Sequence, residues 1–258
     1  MNFKNKTLFI DLDGTLYRGD EKIESAITFV HDLQEQQIPF FFLTNNAMRT
    51  HQQNTDKLLA MGYQNIHPEQ FFTSAMAASR YAKHHQFGNR VFCLGESGLQ
   101  EALLEQGFEL CEEDVDCVVV GLDSHATYHR YSDAYRCLMN NAFFIATNPD
   151  RRIPTGQTSQ IGNGAIVKML EYASEKECLM IGKPHTPMLE EMLLYANVDK
   201  SDCIIIGDNL ETDIAFGVSH DVETIFVTTG VHTKEDQERF QIHATHCVSK
   251  LTELMEHK

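Results

Sequence analysis

Short apolar runs alternate with amphipathic segments along the whole chain. The runs are TLFI (7–10), IPFFFL (38–43), RVFCLG (90–95), DCVVVG (116–121), FFIATN (143–148), CLMIG (178–182), CIIIG (203–207) and TIFVT (224–228). Between them the apolar positions fall at helical spacing. Leu189, Met192, Leu193 and Ala196 form one stripe behind a Thr186-Pro187 start, with Glu190 and Glu191 in the first turn. Ile23, Ile27 and Val30 form another ahead of the second run. Runs that are continuously apolar, instead of alternating with polar residues, predict strands buried on both faces. That pattern belongs to an α/β fold in which a parallel sheet is sandwiched by helices.

The ends of the runs divide them into two groups. In open α/β sheets ligands gather beyond the carboxyl ends of the strands. TLFI runs into Asp11-Leu12-Asp13-Gly14, IPFFFL into Thr44-Asn45-Asn46, CLMIG into Lys183-Pro184, and CIIIG into Asp208-Asn209. The runs between 90 and 148 end in less reactive sequence. This contrast predicts one catalytic sheet interrupted by an inserted second α/β unit. No internal repeat, low-complexity stretch or Gly/Ser linker marks the boundary.

In an extended chain, residues two apart share a side, so Asp11 and Asp13 face together while Leu12 turns away. Gly14 then lets the chain leave the strand sharply. Carboxylates this close repel, and one keeps its proton unless a cation is near. Asp11 is therefore a candidate nucleophile or metal ligand, and Asp13 a switchable acid. Asp208 sits at another strand end, with Asp213 expected in the first turn of the following helix, where a carboxylate also suits the helix dipole. Hard oxygen ligands without clustered His or Cys point to Mg²⁺. Lys183 offers a compact positive charge, and Thr44 a hydroxyl beside backbone N–H groups at an expected helix start.

Composition narrows the partners. The chain has 258 residues, with 37 acidic against 21 basic side chains and a formal net charge of -16. Such a balance excludes a nucleic-acid binder and a polybasic membrane-surface protein, though not a small anionic substrate held in a locally positive site. The first apolar run is too short for a signal peptide or a membrane span. Seven cysteines without a C-x-x-C pair read as free thiols, several of them buried, of a cytoplasmic protein.

Taken in order, D-x-D-G-T, a strand ending in Thr, Lys-Pro after a strand, and G-D-x-x-x-T-D resemble the haloacid dehalogenase superfamily. LTNN (43–46), VVVGLD (118–123), ATNPD (146–150), IGKP (181–184) and GDNLETDI (207–214) are similar to its NagD-like phosphatase branch, which carries a class IIA cap. The resemblance spans nearly the whole chain. It implies a Rossmann-like core formed by 1–87 and 178–258 and an α/β cap at 88–177. It implies that Asp11 attacks phosphorus to form an aspartyl-phosphate, and that Asp13 protonates the leaving oxygen and then activates water. Mg²⁺ would be held by Asp11, the backbone carbonyl of Asp13, and Asp208, with Asp213 supporting from behind. Thr44, Asn45, Asn46 and Lys183 would hold the phosphoryl oxygens, and Asn148 and Asp150 of the cap would meet the substrate. The substrate expected is a small phosphorylated metabolite, such as a nucleoside monophosphate or sugar phosphate. Family caps often meet in dimers, which extends here to a homodimer through the cap.

Two positions depart from the family pattern: Ala47, where a small hydroxylic residue is usual, and Ile161, which stands where a proline usually precedes Gly162-Asn163-Gly164. That Gly-Asn-Gly has no third glycine at the offset of a dinucleotide fingerprint and no expected strand before it, so it reads as a cap loop leading into a helix. Gly95-Glu96-Ser97-Gly98 lacks the lysine of a phosphate-binding P-loop. His125/His129 and His243/His246 lack a third soft ligand and read as surface histidines. Two other functions suit these residues less well. A non-catalytic sensor of phosphorylated metabolites has no need of the paired acids, and a dehalogenase would need Asp11 but neither Asp13 nor the metal site.

Overall fold

The computed structural model describes residues 1–155 and 158–255. They form two compact units: one of residues 1–44, 54–72 and the chain from 193 onward, the other of residues 45–53 and 73–192. The architecture is α/β with parallel sheets and helices, as the continuous apolar runs predict.

The first unit carries a six-stranded sheet in the order His246–Val248, Glu223–Val227, Cys203–Gly207, Thr7–Ile10, Phe40–Thr44, Phe71–Thr73. The pairings from His246–Val248 through Phe40–Thr44 are parallel. TLFI and CIIIG lie at the centre and are buried at every position, which is why they read as unbroken apolar runs. On one face Leu8, Ile10, Phe42, Ile204 and Ile206 pack with Phe29 and Leu33 of the helix Glu24–Glu35. On the other face Phe9 stacks on Phe41 at 5.6 Å between ring centroids, and Phe41 meets Tyr195 edge-on at 5.9 Å. A fully buried phenyl side chain contributes about 1.5–3 kcal/mol. That exceeds the ~0.5–1.5 kcal/mol net of a typical hydrogen bond, so the apolar faces fix the register more firmly than the ladder does. Ile10 lies opposite both Ile206 and Phe42, and the three strands therefore release their following residues at one edge.

The second unit has its own five-stranded parallel sheet, in the order Leu179–Met180, Phe143–Ala146, Cys117–Val120, Arg90–Leu94, Glu109–Leu110. Phe92, Leu94, Val118, Val120 and Phe144 pack against Leu138 of the helix Tyr128–Met139 and Val167 and Leu170 of the helix Asn163–Ser174. Leu94, Val120, Ala146 and Met180 are in register, so Thr147, Asn148 and, three residues past its strand, Lys183 leave from one edge. Residues 73–87 and 178–192, which the family resemblance assigned to the core, belong to this unit; Leu179–Met180 pairs with Phe143–Ala146.

Three local expectations need correction. The helix expected beside Thr44 begins only at His51, after a loop of six residues, 45–50. A strand does stand immediately before Gly162: Thr158–Ile161 pairs antiparallel with Arg152–Thr155. All four of its residues are exposed, so it lacks the buried face whose apolar pattern betrays a strand. Asp213 falls in a π-helical turn, Leu210–Ile214, ahead of the helix Ala215–Ser219. The seven cysteines are free thiols, of which Cys93, Cys117, Cys137 and Cys203 are buried. His125, His129, His243 and His246 are exposed. No described helix is long and apolar enough to cross a membrane.

Candidate active site

On the first unit the aligned strand ends gather carboxylates. Asp11 continues the central strand by donating its N–H to the carbonyl of Ile206 at 2.8 Å, and its side chain is half-buried. Leu12 turns into the core at 2% exposure, and its carbonyl accepts the N–H of Leu16 at 2.7 Å, which curls the chain back immediately. Asp13 is exposed, and its Oδ1 accepts the N–H of Gly19 at 3.2 Å. Gly19 lies in a two-stranded hairpin, Tyr17–Arg18 with Glu21–Lys22, braced by Lys57, whose Nζ donates to the Gly19 carbonyl at 2.9 Å and sits 4.0 Å from the Tyr17 ring centroid. The pair thus differs in setting: Asp11 is fixed at the sheet edge, and Asp13 reaches solvent.

Asp208 is buried at 1% exposure. Its Oδ1 accepts from the Thr15 hydroxyl at 3.1 Å and its Oδ2 from the N–H of Val231 at 2.7 Å. Gly14 and Gly230 leave the room: a Cβ on either would overlap the Asp208 carboxylate. Gly14 also adopts φ +92°, which disfavours any other residue. Asp213, buried at 2%, packs on Gly207, and its Oδ2 accepts the N–H of Asn209 at 3.2 Å. One ligand oxygen from each of Asp11, Asp208 and Asp213 lies within 4.8 Å of the others. Burial, and then the charge of Asp213, push the Asp208 carboxyl up to about 7 in spite of its hydrogen bonds from Val231 and Thr15. Three carboxylates held this close without a compensating charge repel one another, and a hard divalent cation relieves the repulsion. The all-oxygen donor set fits such an ion.

Thr44 ends its strand and is buried. The next residues, Asn45 and Asn46, belong to the second unit, together with Lys183, Asn148 and Asp150. Lys183 is 1% exposed, far from the solvated surface charge that a lone lysine usually is. Asn45 is buried, and its Nδ2 donates to the Lys183 carbonyl at 3.0 Å and to Asp150 Oδ1 at 3.2 Å. Its carbonyl accepts from Asn148 Nδ2 at 2.8 Å and from the Ser74 hydroxyl at 2.6 Å. Asn46 Oδ1 accepts the N–H of Met48 at 2.9 Å and closes the loop's first turn. Ala47 is buried beside Gly98 and Gly121, whereas Ile161 is 69% exposed.

The structure therefore brings Asp11, Asp208 and Asp213 into one carboxylate cluster with Asp13 beside Asp11 in the chain. On the other unit it brings Asn45, Asn148, Asp150 and Lys183 into one hydrogen-bonded group. Sequence reasoning missed Thr15 and Gly230 around Asp208, and Ser74 and Asn163 around the amides. Thr15 was in plain view as the last letter of D-x-D-G-T. Ser74 and Gly230 carry no local signal at all.

A family profile described as haloacid dehalogenase-like hydrolase matches residues 8–109, and one described as HAD-hydrolase-like matches residues 180–254. The chain is 36% identical over 248 residues to the 5'-nucleotidase YutF of Bacillus subtilis, covering 96% of each chain. It is 38% identical over 251 residues to an acid sugar phosphatase of Staphylococcus saprophyticus, covering 97% of this chain and 96% of that one. Among solved structures, a p-nitrophenyl phosphatase from Archaeoglobus fulgidus superposes with a TM-score of 0.91 at 27% identity, over 97% of this chain and 98% of that one.

Proposed function

The chain belongs to the haloacid dehalogenase-like hydrolases and is a phosphatase of their NagD-like branch, and on that premise we propose that it hydrolyses a small organic phosphomonoester with Mg²⁺ through an aspartyl-phosphate. The observation that carries the reading is the cluster of half-buried Asp11 with buried Asp208 and Asp213, Asp11 standing two residues before an exposed Asp13 in the chain. Relatives acting on a nucleotide and on a sugar phosphate support a nucleoside monophosphate, a sugar phosphate or a similar metabolite as substrate.

Asp11 is the proposed nucleophile: its backbone is anchored to the neighbouring strand, so its carboxylate attacks phosphorus from a fixed point. Asp13, exposed and steadied by the Gly19 N–H, delivers a proton to the leaving oxygen and afterwards takes one from the water that opens the acyl phosphate. Asp11, the backbone carbonyl of Asp13, and Asp208 are assigned to Mg²⁺, with Asp213 behind them. When bound, the cation neutralises charge on the phosphoryl oxygens. Thr44, Asn45, Asn46 and Lys183 are assigned to those oxygens, and Asn148 and Asp150 to the substrate. Phosphate-monoester hydrolysis needs acceleration approaching ~10²¹. Proton transfer supplies only about 10²–10⁴ of it. Covalent attack and charge neutralisation must supply the rest, which is why this reading needs the whole cluster and not Asp13 alone.

The same reading divides the chain into a core of 1–87 and 178–258 and a cap of 88–177, and places the protein in the cytoplasm, consistent with its free cysteines. A homodimer through the cap, with neither nucleic acid nor membrane as partner, completes it. Hydrolysis of an aryl phosphate should require Mg²⁺, stop on addition of EDTA, and fall at least about 10³-fold in Asp11→Asn. Activity that survives both EDTA and the substitution sinks the mechanism.

A further inference from the structure

Gly162-Asn163-Gly164 lacks the full dinucleotide fingerprint, yet its three residues are each pressed against the loop Asn148-Pro149-Asp150. A Cβ on Gly164 would overlap the Pro149 carbonyl, and one on Gly162 the Asp150 carbonyl. The N–H of Gly164 donates to the Asp150 carbonyl at 2.9 Å. Between the glycines, Asn163 is 1% exposed, and the two hydrogens of its Nδ2 are shared among three acceptors: the Asn148 carbonyl at 3.1 Å, the Thr147 hydroxyl at 3.3 Å and the Val120 carbonyl at 3.3 Å. The amide orientation is fixed, because turning it over would aim its oxygen at two carbonyl oxygens. Its own Oδ1 is buried without a partner.

The contacts continue from there. Asn148 Nδ2 donates to the Asn45 carbonyl, and Asn45 Nδ2 donates to Asp150 Oδ1 and to the carbonyl of Lys183. Asn45 Oδ1, like Asn163 Oδ1, is buried without a partner, and it lies against Gly182, where a Cβ would come within 2.7 Å of it. A chain of buried side-chain to backbone hydrogen bonds therefore runs from Asn163 through Asn148 to Asn45 and the backbone of Lys183.

We propose that the Gly162-Asn163-Gly164 turn is the positioning element for the phosphoryl-binding group of Asn45 and Lys183, with Asn163 acting through Asn148. It touches no substrate. It rests on the reading of Asn45 and Lys183 as phosphoryl ligands, and it extends that reading to a residue in no motif of the site.

Orthophosphate, the product of any phosphomonoester, is the probe, its affinity measured by calorimetry in saturating Mg²⁺ on the full chain. Asn163→Asp keeps the shape and removes the donors. It should weaken orthophosphate binding by about tenfold or more, as should Asn148→Ala. Because both act along one chain, the double variant should be no weaker than the more severe single variant. A purely structural role would give additive losses, or a lower Tm with unchanged orthophosphate affinity, and either result overturns the proposal. If Asn163→Asp does not fold, Asn163→Ser carries the same cycle, since one short donor cannot reach all three acceptors. Aryl phosphate hydrolysis by the parent protein is run alongside. If the parent neither turns over an aryl phosphate nor binds orthophosphate, the phosphatase reading has failed; if it does both and the cycle is additive, only the positioning role has.

Discussion

Asp208 is the residue on which the cluster's electrostatics turn. Its carboxyl rests at about 7 in the fold, against ~4 in an unfolded chain. Below the unfolded value both states hold the proton and the group contributes nothing. Between the two values the unfolded chain releases a proton that the fold retains, so stability falls as pH rises, and above about 7 the whole penalty persists. The metal-free protein should accordingly lose Tm between pH 5 and pH 8. A divalent cation takes the proton's place, so millimolar Mg²⁺ should raise Tm more at pH 8 than at pH 5; equal shifts at the two pH values in a thermal melt would contradict the assignment. Gly14→Ala tests the packing side of the same residue. Both its positive φ and its overlap with Asp208 oppose a methyl group, so a loss of about 1–3 kcal/mol in urea unfolding is expected, together with weaker cation affinity. The acids themselves were legible, because strand-end carboxylates announce themselves as soon as the apolar runs are placed. The burial of Lys183 was not. Nothing in Ile-Gly-Lys-Pro says whether a lysine after a strand points outward or is enclosed, since that depends on chain far away in sequence.

At the scale of elements, legibility followed burial. TLFI and CIIIG were found to the residue because every position is buried. The strands Phe71–Thr73 and His246–Val248 were missed because three residues carry no period. The antiparallel pair Arg152–Thr155 and Thr158–Ile161 was missed because its second strand is wholly exposed and polar in pattern. Long-range ties are just as invisible. Glu191, on the helix Thr186–Ala196, is 2% exposed and receives Arg80 Nε at 3.3 Å and lies 2.7 Å from His84 Nδ1, both on the helix Ser74–His84. From sequence, Glu191 looks like an acid in a helix's first turns. Glu191→Ala removes an anchor that the two helices share and should cost about 1–3 kcal/mol in denaturant unfolding; a variant as stable as the parent would show that the two basic side chains find solvent without loss.

For the whole molecule, the sequence showed that there are two α/β bodies but placed their limits from chemistry, not contacts. The two sheets are separate and each has its own core, while the chain passes between units at 44/45, 53/54, 72/73 and 192/193. A fragment of residues 88–177 lacks the edge strand Leu179–Met180 and the helix Ser74–His84, which packs on the helix Ser97–Glu105. A fragment of residues 73–192 keeps all of these. The longer fragment should show the more cooperative urea transition by circular dichroism, and the reverse order would favour the narrower boundary.

The segment 45–53 is chain of one unit spliced between two stretches of the other, and its first residue is Asn45. Surface loops ordinarily vary in sequence more readily than the elements they connect. Here the loop Asn148-Pro149-Asp150, proposed to meet the substrate, hydrogen-bonds Asn45, proposed to hold the phosphoryl oxygens. Drift in the one is therefore felt at the other. Lineages of this fold that change their substrate should do so through paired substitutions at 45, 148 and 163, or by leaving all three alone and varying the exposed neighbours such as Ile161.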